Sequence, residues 1–316
     1  MNRALCNILA CFILKKESRH RFRKKYGSPK NNGDKISSVE RLLRMTIDIT
    51  KLPPAKGNLK MIQDCSVALL NHFNEICKKH NIPYWIDSGT LIGYVRHNGF
   101  IPWDDDIDIC MMRKDYEKLF QILDAEFVKD GFKYTHGEIT RLYYKNTPAQ
   151  VDIFPIDIGF QKLPPKGKEK DEFISVLNEI KSSVKCDYKT NIPLQQPVCS
   201  LTDVYNALKS KDKLFKSRKE VEDGFLFYGI EAQVKNRCLF EQSDAFPLKK
   251  VSFLGIDTHV PQNTDYWLFG LYGDYMVLPD DIYQKHKEIT HRLSDESFKN
   301  CQELIKNYYP KVKHED

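Results

Sequence analysis

Apolar side chains recur at helical spacing over residues 59–79, at Leu59, Ile62, Leu69, Leu70, Phe73, Ile76 and Cys77. This lays one apolar stripe along a helix, with Asn58 placed to cap its start and Pro83 to stop it. Similar spacing predicts a helix over 37–50, ended by Pro53-Pro54, and another over 114–129. The latter turns Tyr116, Leu119, Phe120, Leu123, Phe127 and Val128 inward and is capped by Gly131. Strand patterns fall at 84–86, 100–112, 132–135, 141–145 and 150–156. The Asn98-Gly99 turn makes the first two a hairpin-like unit, with Ser88-Gly89-Thr90 opening a short helix over 91–97 between them. The strand over 150–156 is expected to bury Val151 and Ile153 and to turn Asp152 to the other face; Asp157 is a second candidate carboxylate, with capping of the turn after Pro155 the plainer reading. A hairpin over 249–260 turning near Gly255, a short helix over 264–273, and terminal helices over 282–292 and 296–309 follow. The expected fold class is α+β, a mixed sheet flanked by helices. Residues 162–248 read as a mostly helical insertion, with helices over 173–184 and within 224–239 and an exposed charged stretch over 209–223.

Within this pattern stand four closely spaced acids, Asp104, Asp105, Asp106 and Asp108. Side chains alternate faces along a strand. A strand over 106–112 would send Asp106 and Asp108 one way and Ile107 and Ile109 the other. Asp104 shares the acidic parity and Asp105 does not. Like charges on one face cost stability unless something neutralises them. A hard divalent cation does so, and Mg²⁺ (or Mn²⁺) is commonly held by one or two carboxylates plus substrate phosphates. An acidic run is often only a solvated turn. Here Phe100, Ile101, Trp103, Met111 and Met112 flank it with more apolar surface than such a turn carries. Asp152, on a neighbouring strand, would complete the cation site. Ser88, Gly89 and Thr90 are small residues at a strand-to-helix turn, where backbone N–H groups can approach a phosphate. Arg96 either pairs with a phosphate or complements the helix C-terminus. His286 and His291 could face a phosphate, although surface or core placement is the plainer reading.

Composition narrows the partners. The chain has 316 residues, with nine cysteines, no CxxC pair and no N-x-Ser/Thr sequon. That argues against a disulfide framework or a zinc ribbon, and weakly against a secretory lumen. Net charge is +6, but residues 1–30 hold nine Lys/Arg against Glu17, a balance of +8 that leaves −2 for the rest. The basic charge belongs to a tail, so no nucleic-acid partner is expected. An apolar run over 4–14 precedes the basic cluster over 15–25. It is too short to span a bilayer, and the order is wrong for a signal peptide. It fits a segment lying on an anionic membrane surface; the alternative is a core-packing helix with a basic exit. Residues 1–35 thus form a membrane-surface segment and linker, and 36–316 the catalytic body. The expected place is the cytoplasm, peripherally on the inner face of the membrane.

Residues 89–120, GTLIGYVRHNGFIPWDDDIDICMMRKDYEKLF, closely resemble the hallmark of the LicD and fukutin family. VDIFPID at 151–157 and LYGDYMVLP at 271–279 resemble its later signatures. The resemblance implies a nucleotidyltransferase-like fold. It also implies transfer of a phospho-alcohol, such as phosphocholine or ribitol phosphate, from a CDP-alcohol donor to a glycan or glycolipid acceptor of the lipopolysaccharide, capsule or teichoic acid type. The family's Asp-x-Asp metal pair maps onto Asp106 and Asp108 with Asp104 beside them. Its third acid maps onto Asp152 and its small-residue turn onto Gly89 and Thr90. On this reading Asp152 either completes the metal shell or accepts the acceptor's proton, with Asp104 the alternative base. Two other activities fit the same acids less well: nucleotidyl transfer that leaves NMP on the acceptor, and a non-catalytic membrane-tethered assembly factor.

Overall fold

The computed structural model describes residues 48–159, 162, 168–183, 223–232, 238–278 and 293–310. The apolar run, basic cluster and linker of the first 35 residues lie outside them. So do most of the helix expected over 37–50, most of the stretch over 184–223, the helix expected over 282–292, and His286 and His291. The chain divides into two compact units. One is Pro54–Gly273 with Leu293–Asp316, and the other is Met1–Pro53 with Asp274–Arg292. In the second, the described residues include a single 3-10 turn, Ile49–Lys51, capped by the Asp48 side chain.

Helix α1 (Asn58–His80) buries Ile62, Cys65, Val67, Leu69, Leu70, Phe73, Ile76 and Cys77. Gly57, not Asn58, is its N-cap. It ends before Pro83, because Asn81 adopts φ 51° and its N–H turns back to the carbonyls of Cys77 and Lys78, a left-handed cap open to Asn at small cost. Strand β1 (Trp85–Ile86) leads into α2 (Ser88–His97), which Asn98 closes with a second left-handed cap. Strand β2 is only Ile107–Met112. The expected strand over 100–112 is shortened for local reasons. Pro102 has no N–H to donate, Asp104 N–H turns back to Ile101 O, and Gln63 on α1 holds the Ile101 and Asp104 carbonyls. Asn98-Gly99 therefore caps a helix instead of turning a hairpin.

Helix α3 (Arg113–Phe120) is shorter than its pattern. The chain then widens into one π turn, Leu123–Phe127, which keeps Leu123 and Phe127 buried while Glu126 reaches Lys79 at 2.8 Å. Gly131, with φ 97°, serves the turn into the next strand and not a helix cap. Strands β3 (Phe132–His136), β4 (Thr140–Tyr144) and β5 (Gln150–Ile158) follow. The sheet order is β1-β2-β5-β4-β3, with β2 and β5 parallel and the other pairs antiparallel. The sheet is mixed and the class is α+β, as the pattern implies.

β5 does not alternate buried and exposed positions: Val151 through Asp157 are all buried. It is central, and α1 and α3 both pack on it, so neither face meets water. Asp157 accordingly sits inside the strand, paired with Arg113 at 2.7 Å, and the backbone N–H it accepts is that of Ile230, after β6, not one in a turn after Pro155. In the expected insertion, α4 (Lys168–Ser183) is present as a helix. Residues 226–228, expected in a helix, are instead β6 (Leu226–Tyr228), antiparallel to the end of β5. Phe225 to Tyr228 is a short continuous apolar run, and such a run suits a strand buried on both faces. A short α5 (Gln242–Ala245), the hairpin β7 (Lys249–Phe253) and β8 (Ile256–Val260), α6 (Thr264–Tyr272) and α7 (Asp295–Tyr308) complete the unit. α7 closes on α1, where Asn71 donates to Tyr308 O at 3.0 Å.

Candidate functional site

Parallel pairing sets Asp108 on β2 directly opposite Asp152 on β5. Adjacent strands lie about 4.8 Å apart, and paired residues face the same side. Asp106 enters from the loop just before β2. One carboxylate oxygen from each of Asp106, Asp108 and Asp152 falls within 4.8 Å of the others. Asp104, Asp105 and Asp106 form a second such group. The alternation argument for Asp105 therefore fails: residues 104–106 precede the strand, so parity does not govern them, and Asp105 joins the cluster.

Two oxygens on opposite sides of one ion at 2.0–2.6 Å are roughly 4–5 Å apart. Three hard carboxylate oxygens inside that span fit a divalent cation, and Asp106, Asp108 and Asp152 would hold it. Their electrostatics agree. Burial, and then the charge on Asp106, Asp152 and Asp104, pushes the Asp108 carboxyl well above the usual range. Burial, and then Asp106 and Asp105, does the same to Asp104. Burial, with Asp105 adding to it, raises Asp106 to about 6. Asp152 also reaches about 6, raised by burial and by Asp106 and opposed by Arg141. Acids that resist ionisation together gain most from a shared cation.

The turn at the start of α2 is built around Asp108. Asp87 N–H donates to Asp108 O at 3.0 Å, and Asp108 N–H donates to Thr90 Oγ1 at 2.8 Å. Gly89 N–H donates to Asp108 Oδ2 at 3.1 Å. A Cβ on Gly89 would stand 2.8 Å from Asp104 Oδ2 and 3.4 Å from Asp108 Oδ2. Ser88 carries φ 48°, a left-handed backbone that brings the chain around into the helix. Ser88, Gly89 and Thr90, expected from the sequence to offer backbone N–H groups to a phosphate, lie beside the acids, where Gly89 N–H and Thr90 Oγ1 serve Asp108. Arg96, buried, donates through Nε to His97 Nε2 at 3.4 Å, and its charge favours ionised Asp104. Tyr272, at the end of α6, stands beside Ser88 and Asp108 and is 41% exposed.

Sequence reasoning missed Asp87. It is wholly buried and accepts from Trp267 Nε1 at 2.7 Å, from Cys110 Sγ at 3.0 Å and from the Tyr228 hydroxyl. The available signal was an acid directly after the apolar Tyr84-Trp85-Ile86, where a solvated side chain is out of place. Arg141 was missed too: its Nε donates to Asp152 Oδ2 at 3.3 Å, while Gln150 donates to Oδ1 at 2.6 Å.

Residues 81–178 match the family model described as LicD/FKTN/FKRP, nucleotidyltransferase domain. The lipopolysaccharide cholinephosphotransferase LicD of Haemophilus influenzae is 26% identical over 268 residues, covering 74% of this chain and 97% of that protein. An uncharacterized protein of Rickettsia typhi is 39% identical over 109 residues, and this chain spans only 31% of its length. The ribitol 5-phosphate transferase FKRP of Mus musculus is 35% identical over 82 residues, 23% of this chain and 17% of that one. All the acids of the site, Asp87 included, fall within the matched segment, whereas Asp87's partners Tyr228 and Trp267 lie beyond it, and residues 81–178 are a domain of the LicD/fukutin type.

Proposed function

We propose that the chain is a cation-dependent transferase that moves a phospho-alcohol from a CDP-activated donor to a cell-surface glycan. The single observation that carries this is the convergence of Asp106, Asp108 and Asp152 within 4.8 Å on the paired strands β2 and β5. The relative that this chain covers almost end to end bears the name of a lipopolysaccharide cholinephosphotransferase, which supports phosphocholine and a lipopolysaccharide-type acceptor.

When bound, Mg²⁺ (or Mn²⁺) would offset the negative charge of the donor's diphosphate and of the leaving cytidylate. The chain's own residues do the rest by positioning and charge. Asp106, Asp108 and Asp152 would hold that cation. Gly89 N–H and the Thr90 hydroxyl fix Asp108, and Asp87 fixes the turn that carries them. An acceptor hydroxyl oxygen attacks the outer phosphorus, the bond from that phosphorus to the bridging oxygen breaks, and CMP departs. Asp104 takes the hydroxyl proton. Both oxygens of Asp152 are engaged by Gln150 and Arg141, whereas Asp104 is raised by burial and by its acidic neighbours, and so is the better base.

The test is incubation with CDP-choline, CDP-ribitol or CDP-glycerol, and separately with NTPs, each with Mg²⁺ and a lipooligosaccharide acceptor. CMP release with phospho-alcohol on the glycan is expected. Pyrophosphate release from NTPs without any CMP would make the protein a nucleotidyltransferase instead. Membrane association is proposed to run through residues 1–30, on the strength of their +8 balance. No helix among the described residues is long and apolar enough to cross a membrane. Deleting residues 1–30 should move the protein from the membrane pellet to the supernatant, and unchanged partitioning would refute the anchor.

A further inference from the structure

Two arginines pair with acids in and around the sheet, and their surroundings differ. Arg113 is buried and saturated: Nε and Nη2 donate to Asp157 at 2.7 and 2.9 Å, and Nη2 also donates to Glu231 at 2.7 Å. Gly229 leaves room for it, since a Cβ there would lie 2.7 Å from Arg113 Nη2. Arg141 on β4 is the register partner of Asp152 on β5. Its side chain is 47% exposed. Its Nε–Oδ2 distance of 3.3 Å is long for a charge-assisted bond, which ordinarily measures about 2.7–2.9 Å. Among the described residues, nothing accepts from its two Nη groups.

The charge balance shows what those groups lack. Asp104, Asp105, Asp106, Asp108 and Asp152 line the site. One dication does not offset five carboxylates and an incoming diphosphate. Arg96 is buried on the Asp104 side. Arg141 is the cation at the open side, where its charge acts on both Asp106 and Asp152. A guanidinium with a free planar edge matches two phosphate oxygens at once.

We propose that Arg141 is a donor-binding residue: its free Nη edge grips the diphosphate of the CDP-linked donor beside the cation held by Asp106, Asp108 and Asp152. This rests on the transferase reading above. The competing role is a surface ion pair that merely screens Asp152, and such pairs contribute little.

The two roles separate in binding measurements that need no turnover. Mn²⁺ binding is read by electron paramagnetic resonance, and CDP binding by calorimetry at saturating Mn²⁺, for wild type, Arg141→Gln and Arg141→Lys. Thermal unfolding confirms that each is folded. A phosphate clamp predicts that Arg141→Gln weakens CDP roughly 10- to 100-fold. Mn²⁺ affinity should be unchanged or tighter, because a competing positive charge is gone. Arg141→Lys keeps the charge but loses the fork, and should fall between. Unchanged CDP affinity in Arg141→Gln would overturn the inference, as would a parallel loss of Mn²⁺ binding. If wild type binds Mn²⁺ but not CDP, the donor reading itself fails and takes this inference with it.

Discussion

Trp267 Nε1 donates to Asp87 Oδ1 at 2.7 Å, joining two residues separated by 180 positions in the chain. Both are wholly buried. Asp87 in turn binds Asp108 through its backbone N–H, so the indole on α6 fixes one end of the acidic site. Trp267→Phe keeps the ring's bulk but removes the donor. A buried carboxylate short of one partner should cost about 1–3 kcal/mol, read by urea denaturation. Mn²⁺ affinity should fall as well, because Asp108 loses its support. A loss of stability with Mn²⁺ binding intact would show that the contact serves the fold alone.

The crowded carboxylates work against folding and for binding. Asp108→Asn and Asp152→Asn should each raise the thermal midpoint of the metal-free protein, since each removes one of the crowded, mutually repelling acids. Each should also lower Mn²⁺ affinity by about tenfold or more. The opposite signs are the informative part: a site that merely held the fold together would lose stability in both variants. Asp106→Asn extends the test to cells. Full cellular function in that variant would favour an assembly factor over an enzyme.

How much of this could be read beforehand depends on the range of each interaction. The grouping of Asp106, Asp108 and Asp152 was legible because the motifs that carry them, residues 89–120 and 151–157, are local signals, although Asp106 precedes β2 and strand alternation does not place it. Asp105 was misassigned by the same alternation, since Gln63 and Pro102 keep the preceding loop out of the sheet. Asp87 was invisible in its role because Trp267 and Tyr228 lie far along the chain. β6 was mistaken for part of a helix: three strand residues carry no period, and their pairing with Ile156 to Ile158 decides them. The α3 helix was overextended because the π turn buries the same apolar positions as a continuous helix would.

pH should move stability and cation binding in opposite directions. Asp106 and Asp152 titrate at about 6 in the folded chain, against an ordinary value of 3.8. Between those values the native state holds protons that the unfolded chain has lost. Stability of the metal-free protein from these groups is therefore greatest at low pH and falls as pH rises through about 6. Cation binding needs Asp106 and Asp152 ionised, and Asp108 with them, so Mn²⁺ affinity should climb through the same window and keep climbing above it while Asp108, held well above the usual carboxylate range, loses its proton. The thermal shift given by Mn²⁺ should be clearly larger at pH 7 than at pH 5. Equal shifts at the two pH values would place the cation elsewhere.

The Arg113 cluster offers a contrast, being charged but closed. Arg113, Asp157 and Glu231 are all buried, and both carboxylates accept from Arg113. Arg113→Met would strand two buried carboxylates and should cost about 3–5 kcal/mol. Converting all three residues to apolar ones of similar size should recover most of that loss, as measured by chemical denaturation. Failure of the triple variant to recover would mean that the cluster does more than hold β6 and its following turn to β5.

Gly89 separates helix propensity from site geometry. It lies inside α2, where Ala is ordinarily favoured over Gly by about 1 kcal/mol. Its φ is not in the left-handed region, so Ala meets no backbone strain there. On propensity alone, Gly89→Ala should stabilise the protein. The new methyl, however, would stand 2.8 Å from Asp104 Oδ2, and that carboxylate has to move. The expected result is stability changed by less than about 1 kcal/mol together with weaker Mn²⁺ binding and slower transfer. Gly93→Ala is the control: its methyl would meet backbone, 2.8 Å from Ile101 N, and backbone cannot rotate aside. That variant should lose stability outright, whereas Gly89→Ala should stay folded and lose binding. If Gly89→Ala kept full Mn²⁺ affinity, the close approach of the acids to α2 would have no part in holding the cation.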